Sequence, residues 1–286
     1  MLGLVINPNA GGGFKKASAI AVDYLYANSI QYKILSGDTP EQMQANLLRE
    51  KPSTVIIIGG DGTLQSVLKY VVETKAKLIV IPAGSGNDAA RKLELTSKKI
   101  PEILHQGLRL EKFQTIDAIQ LQTNLGEFVT IGTVSAGLDS FVNKKANNFK
   151  FGGFLKYPIG LINQLPSFRA LDYELTIHDK TEKFKGMLCS LTNSGIFGGG
   201  MKIVPHSKLD DSSLELFKVS TISKPELLTV FPRVYLGTHL GHPAVSAEQL
   251  RSLQLKADVD IYADGEPLGF GGYKAELLPG VIRLAI

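Results

Sequence analysis

The sequence contains no tryptophan and a single cysteine, Cys189. One cysteine cannot close an internal disulfide, and no group of Cys and His has the spacing of a zinc site. Both absences suit a reducing compartment, so a cytoplasmic location is expected. Long apolar runs are missing as well: none approaches the roughly 18 residues of a membrane-crossing helix. The opening MLGLVINPNAGGG has no basic region ahead of its short apolar run, so no signal peptide is expected. Charge of one sign is scarce. The formal net charge is +4 over 286 residues, which suits a partner bearing phosphate or an anionic membrane surface, while nucleic acid is not an expected partner. The Walker pattern GxxxxGK[ST] is absent, so any phosphate site must be built in another way.

What is present is ordinary globular material, 44% hydrophobic and 20% charged, enough for a sizeable core. At roughly 150 residues per domain the length suggests two domains. Residues 1–115 alternate short apolar runs with helical stretches. Strands are expected at Leu2 to Ile6, Tyr32 to Leu35, Val55 to Ile58 and Leu78 to Ile81. Helices are expected at Phe14 to Asn28, after Thr39-Pro40-Glu41, at Leu64 to Glu73 and after Asp88. Thr39 is placed to cap its helix, with Pro40 at the first helical position. Such alternation predicts a mostly parallel sheet covered by helices on both faces. From 116 to 286 the period changes to two, between Gly, Pro, Asn and Asp punctuation, which predicts an antiparallel β domain, sandwich-like or barrel-like. Helix is expected to interrupt it within Phe141 to Phe168 and Lys224 to Gly237.

Three glycine-rich loops follow strands of the first half and precede helices. In a parallel sheet such junctions lie at the carboxyl edge, where ligands bind. Glycine lets backbone approach a phosphate, and a helix N-terminus adds free N–H donors. The first loop is Asn7 to Gly13. The second is Gly59-Gly60-Asp61-Gly62-Thr63, with Thr63 as the expected cap and Asp61 suited to Mg²⁺ or a hydroxyl, since hard cations prefer carboxylate oxygens. The third is Pro82-Ala83-Gly84-Ser85-Gly86-Asn87-Asp88. Its partial match to GxGxxA is a weak dinucleotide signal, because the pattern follows the fourth strand and lacks a strand-terminal acid about 20 residues on.

With GGDGTL at Gly59 to Leu64 and PAGSGNDAAR at Pro82 to Arg91, the sequence resembles the diacylglycerol kinase catalytic family, within the NAD kinase/diacylglycerol kinase-like superfamily. Asn7-Pro8 with its glycines, Ser135 to Asp139, Thr192 to Gly195 followed by Gly198 to Gly200 and Pro205, Lys208 to Asp211, and Tyr262 to Glu266 are similar to further family motifs, in the same order. The resemblance implies an α/β nucleotide-binding domain followed by a β-sandwich substrate domain. It implies a Mg²⁺-dependent kinase that takes ATP and a lipid at the membrane surface, diacylglycerol above all. Asn7, Thr39, Gly59, Gly60, Asp61, Gly62, Thr63, Leu64, Ser85 and Asn87 would line the nucleotide site. Glu266 would take the proton of the lipid hydroxyl, aided by Asp264, and Asp139 would meet the lipid head group. Asp61 and Asp264 would help place Mg²⁺. Lys208, Asp211 and Ser213 would surround a second, structural Mg²⁺. Family members often self-associate, so a homodimer is among the implied partners. Two departures stand out: Gln65-Ser66 replaces an amide and an acid after GGDGTL, and Ser212 replaces the glycine of a DDG turn.

Several residues carry competing readings. If the segment is extended, Asp264 and Glu266 project to one side as paired carboxylates; an Asp-Gly hairpin turn is the alternative. Asp139 either binds a head group or sits in a glycine-flanked turn. The stretch Phe149 to Phe168, with Phe151, Phe154, Leu155, Tyr157, Ile159 and Leu161, is either an apolar lip for acyl chains or a core helix. Cys189 is read as core, and the five histidines receive no role. A kinase of sphingoid bases or phosphatidylglycerol, an NAD kinase and a non-catalytic nucleotide-binding regulator remain alternatives. The Asn-Glu pair that NAD kinases carry is absent here.

Overall fold

The structure, a computed structural model, describes residues 1–7, 13–109, 113–146 and 156–285. Two compact units divide the chain. One comprises Met1–Ile116 with Gly280–Ile286, the other Asp117–Pro279.

In the first unit, β1 (Leu2–Ile6), α1 (Phe14–Ala27), β2 (Lys33–Ile34), α2 (Pro40–Glu50), β3 (Thr54–Gly59), α3 (Asp61–Thr74), β4 (Lys77–Pro82), α4 (Asp88–Lys92) and α5 (Ile100–Leu108) follow in order. The strands run parallel in the order β2–β1–β3–β4. Near the chain's end, Arg283 and Leu284 add a further parallel pairing to Lys77 and Leu78. Val55 to Ile58 are wholly buried. An uninterrupted β-branched run suits a strand covered on both faces. On one face Ala17, Ala21 and Leu25 of α1, at helical spacing, pack on Leu4, Ile56, Ile58, Ile79 and Ile81. Three elements differ from expectation. β2 shrinks to two residues because it lies at the sheet edge, where Ile34 remains exposed. α3 begins at Asp61, three residues early. α4 is one short turn, ended by Glu94 in left-handed backbone at φ 57°.

The second unit takes up β5 (Phe113–Thr123) and contains β6 (Gly126–Thr130), β7 (Thr133–Gly137), α6 (Leu138–Ala146), α7 (Lys156–Gln164), β8 (Leu171–Ile177), β9 (Lys180–Thr192), β10 (Leu214–Ser220), α8 (Lys224–Val230), α9 (Arg233–Leu236), β11 (Val245–Leu250), β12 (Ser252–Ala263) and most of β13 (Glu266–Ala285). Its ladders are antiparallel: β11–β10–β9, β9–β7–β12 and β12–β13. β7 and β8 occupy the same gap between β9 and β12, one after the other along those longer strands. Alternating inward residues such as Leu253, Leu255, Ala257, Val259 and Ile261 form one core. A second core lies under the helices, where Leu138, Val142, Leu161 and Leu165 meet Met187, Phe217 and Val219. This is the α/β plus β-sandwich architecture expected from the sequence.

Candidate active site

The carboxyl ends of β1, β3 and β4 are neighbours, so the strand order brings the second and third glycine loops, and Asn7 at the end of β1, along one edge of the first unit. Residues 8–12 of the first loop, Pro8, Gly11 and Gly12 among them, lie outside the described residues. Asn7 donates from Nδ2 to Thr63 Oγ1 at 3.1 Å. Thr63 is therefore not the expected cap. Gly60, in extended backbone, holds the N-cap position of α3, and Asp61 puts an acid in its first turn. A carboxylate there suits the positive helix end. The second and third loops meet through glycine backbone: a Cβ on Gly84 would lie 2.4 Å from the Gly60 Cα, and one on Gly59 would lie 2.3 Å from Thr63 Oγ1. Asn87, at φ 54°, accepts from the Gly84 N–H at 2.9 Å and donates to the Gly84 carbonyl at 2.7 Å, closing the third loop on itself.

Asp61 joins the two loops. Its half-buried carboxylate accepts from the backbone N–H of Asp88 at 3.3 Å and of Ala89 at 3.4 Å. Burial pushes its pKa up, against the pull of those amides. Ser85 stands exposed at the loop tip, Gly62 is half-buried, and the Leu64 side chain is buried. Thr39 caps α2 as expected, accepting from Gln42 N at 3.3 Å.

In the second unit, Asp264 and Gly265 form a two-residue turn between β12 and β13, both with positive φ, and Ala263 pairs with Glu266. Positive φ at both central residues is the type I′ hairpin geometry. The premise of an extended segment with Asp264 and Glu266 on one side is thus corrected: the turn breaks the alternation. Gly265 serves the backbone rather than a close approach, since a Cβ there would meet nothing within 4 Å. The Asp264 carboxylate folds back on the β6–β7 corner. It accepts from Thr130 Oγ1 at 2.6 Å and from Thr133 N at 2.9 Å, and a Cβ on Gly132 would collide with it. Glu266 is exposed at the start of β13.

Thr133 and Ser135 lie two apart on β7. Beside Ser135, on β9, stands Ser190, whose Oγ donates to Asp139 Oδ2 at 2.8 Å. Asp139 lies in the first turn of α6 and also accepts from Ser140 N at 2.9 Å. It is 2% exposed. Burial pushes its pKa up to about 6, while the hydroxyls of Ser135 and Ser190 work the other way. Two strand residues advance about 7 Å, so Thr133, which holds Asp264, and the Ser135–Ser190 pair beside Asp139 lie a short step apart. Asp139 also lines a mostly apolar pocket of about 80 Å³. Its wall is built by α6 to α9 and by Met187, Phe217 and Val219 of the sheet.

Residues 1–121 match the family described as "Diacylglycerol kinase catalytic domain", and residues 132–286 match "YegS C-terminal NAD kinase beta sandwich-like domain". A "Diacylglycerol kinase" of Mycobacterium tuberculosis is 30% identical over 272 residues, covering 91% of this chain and 86% of the relative. The chain belongs to the diacylglycerol kinase catalytic family. A second diacylglycerol kinase relative, from Staphylococcus haemolyticus, is 27% identical over 249 residues, covering 82% of this chain and 70% of its own length. The crystal structure of a diacylglycerol kinase from Bacillus anthracis superposes with a TM-score of 0.77 at 19% identity, over 99% of this chain and 96% of that one, and so shares the fold. Membership makes the protein a kinase that uses ATP.

Within the family frame, several expected residues turn out to hold structure. Thr192 shares a 2.8 Å hydroxyl contact with Thr133, and Asn193 Nδ2 donates to the Asp117 carbonyl at 3.0 Å. Gly195, at φ 68°, would drive a Cβ to 2.1 Å from the Val204 carbonyl. In the turn at Lys208 to Ser213, Ser212, which stands where the family motif has glycine, adopts left-handed backbone at φ 56°. There Asp211 Oδ1 accepts from Ser213 N at 3.1 Å and Asp117 Oδ2 from Ser212 N at 2.7 Å. Among the described residues no group of three or more His, Cys, Asp or Glu side chains could hold a metal ion. Mg²⁺ needs no such cage when phosphates and water supply most of its oxygens, and the donor chemistry at Asp61 fits an ion of that kind. Sequence reading missed Thr130, Gly132, Thr133, Asp117 and Ser190. Only pairing across the sheet reveals them.

Proposed function

We propose that the protein phosphorylates the free hydroxyl of diacylglycerol to give phosphatidic acid. The observation that carries this reading is Asp139, a buried carboxylate in the wall of a mostly apolar pocket. An apolar cavity with one strong hydrogen-bond acceptor suits an amphiphile with acyl chains and a hydroxyl. NAD, polar over its whole length, does not suit such a pocket.

In this reading the loops around Gly60 and Gly84 cradle the ATP phosphates with backbone N–H groups, helped by Asn7, Asn87 and Ser85. Asp61 would hold a Mg²⁺ ion arriving with the nucleotide, which would supply charge neutralisation at the transferring phosphate. Asp139 orients the lipid head group. Glu266 accepts the proton as the hydroxyl oxygen bonds to the γ-phosphorus and ADP departs. Asp264 works by fixing the hairpin that presents Glu266, through Thr130 and Thr133. A second ion at the Lys208–Ser213 turn would rest on Asp211 and on the carbonyls of Lys208 and Ser213.

The test is a panel of hydroxyl acceptors assayed with labelled ATP: diacylglycerol, a sphingoid base, phosphatidylglycerol and NAD. Labelled phosphatidic acid, lost in Glu266→Gln while ATP binding persists, is the expected result. Label on another acceptor, or ATP binding without turnover, would overturn the assignment.

A further inference from the structure

The corner from Thr192 to Gly195 has no part in the reaction scheme above, yet it opens on a wholly buried hydroxyl. Thr192, on β9, stands directly opposite Thr133, on β7, and neither is exposed. Their hydroxyl oxygens are 2.8 Å apart. Around this pair the Gly195 N–H donates to Thr192 Oγ1 at 2.9 Å. The Ile196 carbonyl lies 3.3 Å from Thr133 Oγ1, and the Gly132 carbonyl 3.4 Å from Thr192 Oγ1.

Each hydroxyl has one proton to give, and the short contact between them must hold one of the two. Thr192 Oγ1 already accepts from an amide. The direction that leaves each oxygen with one donor and one acceptor therefore runs from the Gly195 N–H to Thr192, from the Thr192 hydroxyl to Thr133, and from the Thr133 hydroxyl to the Ile196 carbonyl. Hydrogen bonds in such a chain polarise one another. Breaking it is costly in a buried setting, because no water replaces the lost partner.

Both ends of the chain reach a working part of the second unit. Thr133 holds Asp264 at two points: its N–H donates to Asp264 Oδ1 at 2.9 Å, and its carbonyl accepts from the Asp264 N–H at 3.1 Å. Asp264 begins the turn that presents Glu266. At the other end, Ile196 precedes Phe197, which exchanges two backbone hydrogen bonds of 2.9 Å with Met201. Phe197 and Met201 line the pocket. One pair of hydroxyls thus joins a turn of the pocket wall to the strand that fixes the hairpin.

We propose that Thr192 is a positioning residue for phosphoryl transfer. Its hydroxyl, acting through Thr133, holds the Asp264–Glu266 hairpin and the Phe197–Met201 turn in one fixed register, so that Glu266 meets the substrate hydroxyl in reacting geometry. The proposal rests on the reading of Glu266 as proton acceptor and of the pocket as the lipid site. A reacting group displaced by about 1 Å can cost about a hundredfold in rate, so a buried contact two strands away can matter to turnover.

Steady-state kinetics with labelled ATP and diacylglycerol tests this on three variants. Thr192→Val removes the hydroxyl, Thr192→Ser keeps it, and Thr133→Val removes the other half of the pair while leaving the Thr133 N–H on Asp264. The control is Thr181→Val, which breaks a second cross-strand hydroxyl pair, with Thr176 at 2.9 Å. It lies eleven residues along β9, roughly 35 Å at the rise of a strand. Thermal unfolding checks that each variant is folded. Thr192→Val and Thr133→Val should each lower kcat about ten- to a hundredfold with KM for diacylglycerol little changed. Thr192→Ser should recover most of the rate, and Thr181→Val should match wild type. Amide hydrogen exchange gives a readout free of turnover: the Thr133 and Asp264 N–H groups should exchange faster in Thr192→Val relative to the amides of β8. A folded Thr192→Val with wild-type kcat, a serine variant no better than the valine one, or a raised KM with kcat intact overturns the proposal. Should Thr192→Val not fold, Thr133→Val decides by the same fall in kcat. Failure of the lipid-kinase reading shows separately, as wild type that puts no label on diacylglycerol; unchanged exchange at Thr133 and Asp264 in the variants would then still overturn the role of Thr192.

Discussion

Replacing Asp139 by Asn separates the electrostatic account of the pocket from its shape. Asn is nearly isosteric and cannot ionise. In the folded protein burial raises the Asp139 pKa from 3.8 to about 6, whereas in the unfolded chain the group titrates near the lower value. Below about pH 3.8 both states are protonated and the shift has no effect. Between the two values unfolding releases a proton, so wild type loses stability as pH rises, and above about pH 6 the loss is complete. A shift of about two units corresponds to roughly 3 kcal/mol. Against Asp139→Asn, which lacks this titration, wild type should therefore lose roughly 3 kcal/mol between about pH 4 and about pH 6.5. The variant itself gives up about 1 kcal/mol where Ser190 and Ser140 N now share one amide oxygen. Denaturant unfolding of both proteins across that pH range measures the difference, and the other carboxylates cancel in it. A difference independent of pH would refute the claim that a protonated Asp139 belongs to the folded state. In the kinase assay the same variant should lose about ten- to a hundredfold in kcat/KM, the scale of one hydrogen bond to a charged group.

Gly84→Ala should lower stability by about 1–3 kcal/mol and weaken ATP binding, because its methyl would meet the Gly60 backbone at Cα, which cannot swing aside as a side chain could; thermal unfolding with and without nucleotide reads both effects. Ser212→Gly should raise stability by up to about 1 kcal/mol by relieving left-handed backbone at φ 56°; an unchanged or lower unfolding midpoint would count against that strain. Thr130→Val removes the hydroxyl held 2.6 Å from Asp264 and should cost about 1.5–3 kcal/mol of stability, with kcat falling more than KM rises if Asp264 only positions the hairpin.

The chain's local chemistry was legible. Val55 to Ile58 announces a buried strand and Thr39-Pro40 a helix start, each because a few neighbouring residues set the backbone; at Asp264-Gly265 the hairpin, given only as the alternative to an extended carboxylate pair, is what the structure holds. At the turn that lacks its glycine, Asp117 Oδ2 takes the Ser212 N–H, a partner that sequence does not announce. The side-chain roles were less legible. Thr63 reads as a cap from its position, yet its hydroxyl is taken by Asn7, 56 residues away. The stretch ending at Phe168 divides the two readings given to it: Leu161, Leu165 and Phe168 are core, and Tyr157 and Leu161 also line the pocket.

By itself, then, the sequence determined the strand and helix alternation, the glycine turns and the family to which they belong, because those rest on backbone preferences and periods of a few residues. The tertiary structure alone decided what the acids do. Asp264 is fixed by Thr130 across 134 positions and Asp139 by Ser190 across 51. An acid's pKa and partners depend on what is packed around it, and that surrounding is assembled from segments that adjoin one another only in the folded sheet.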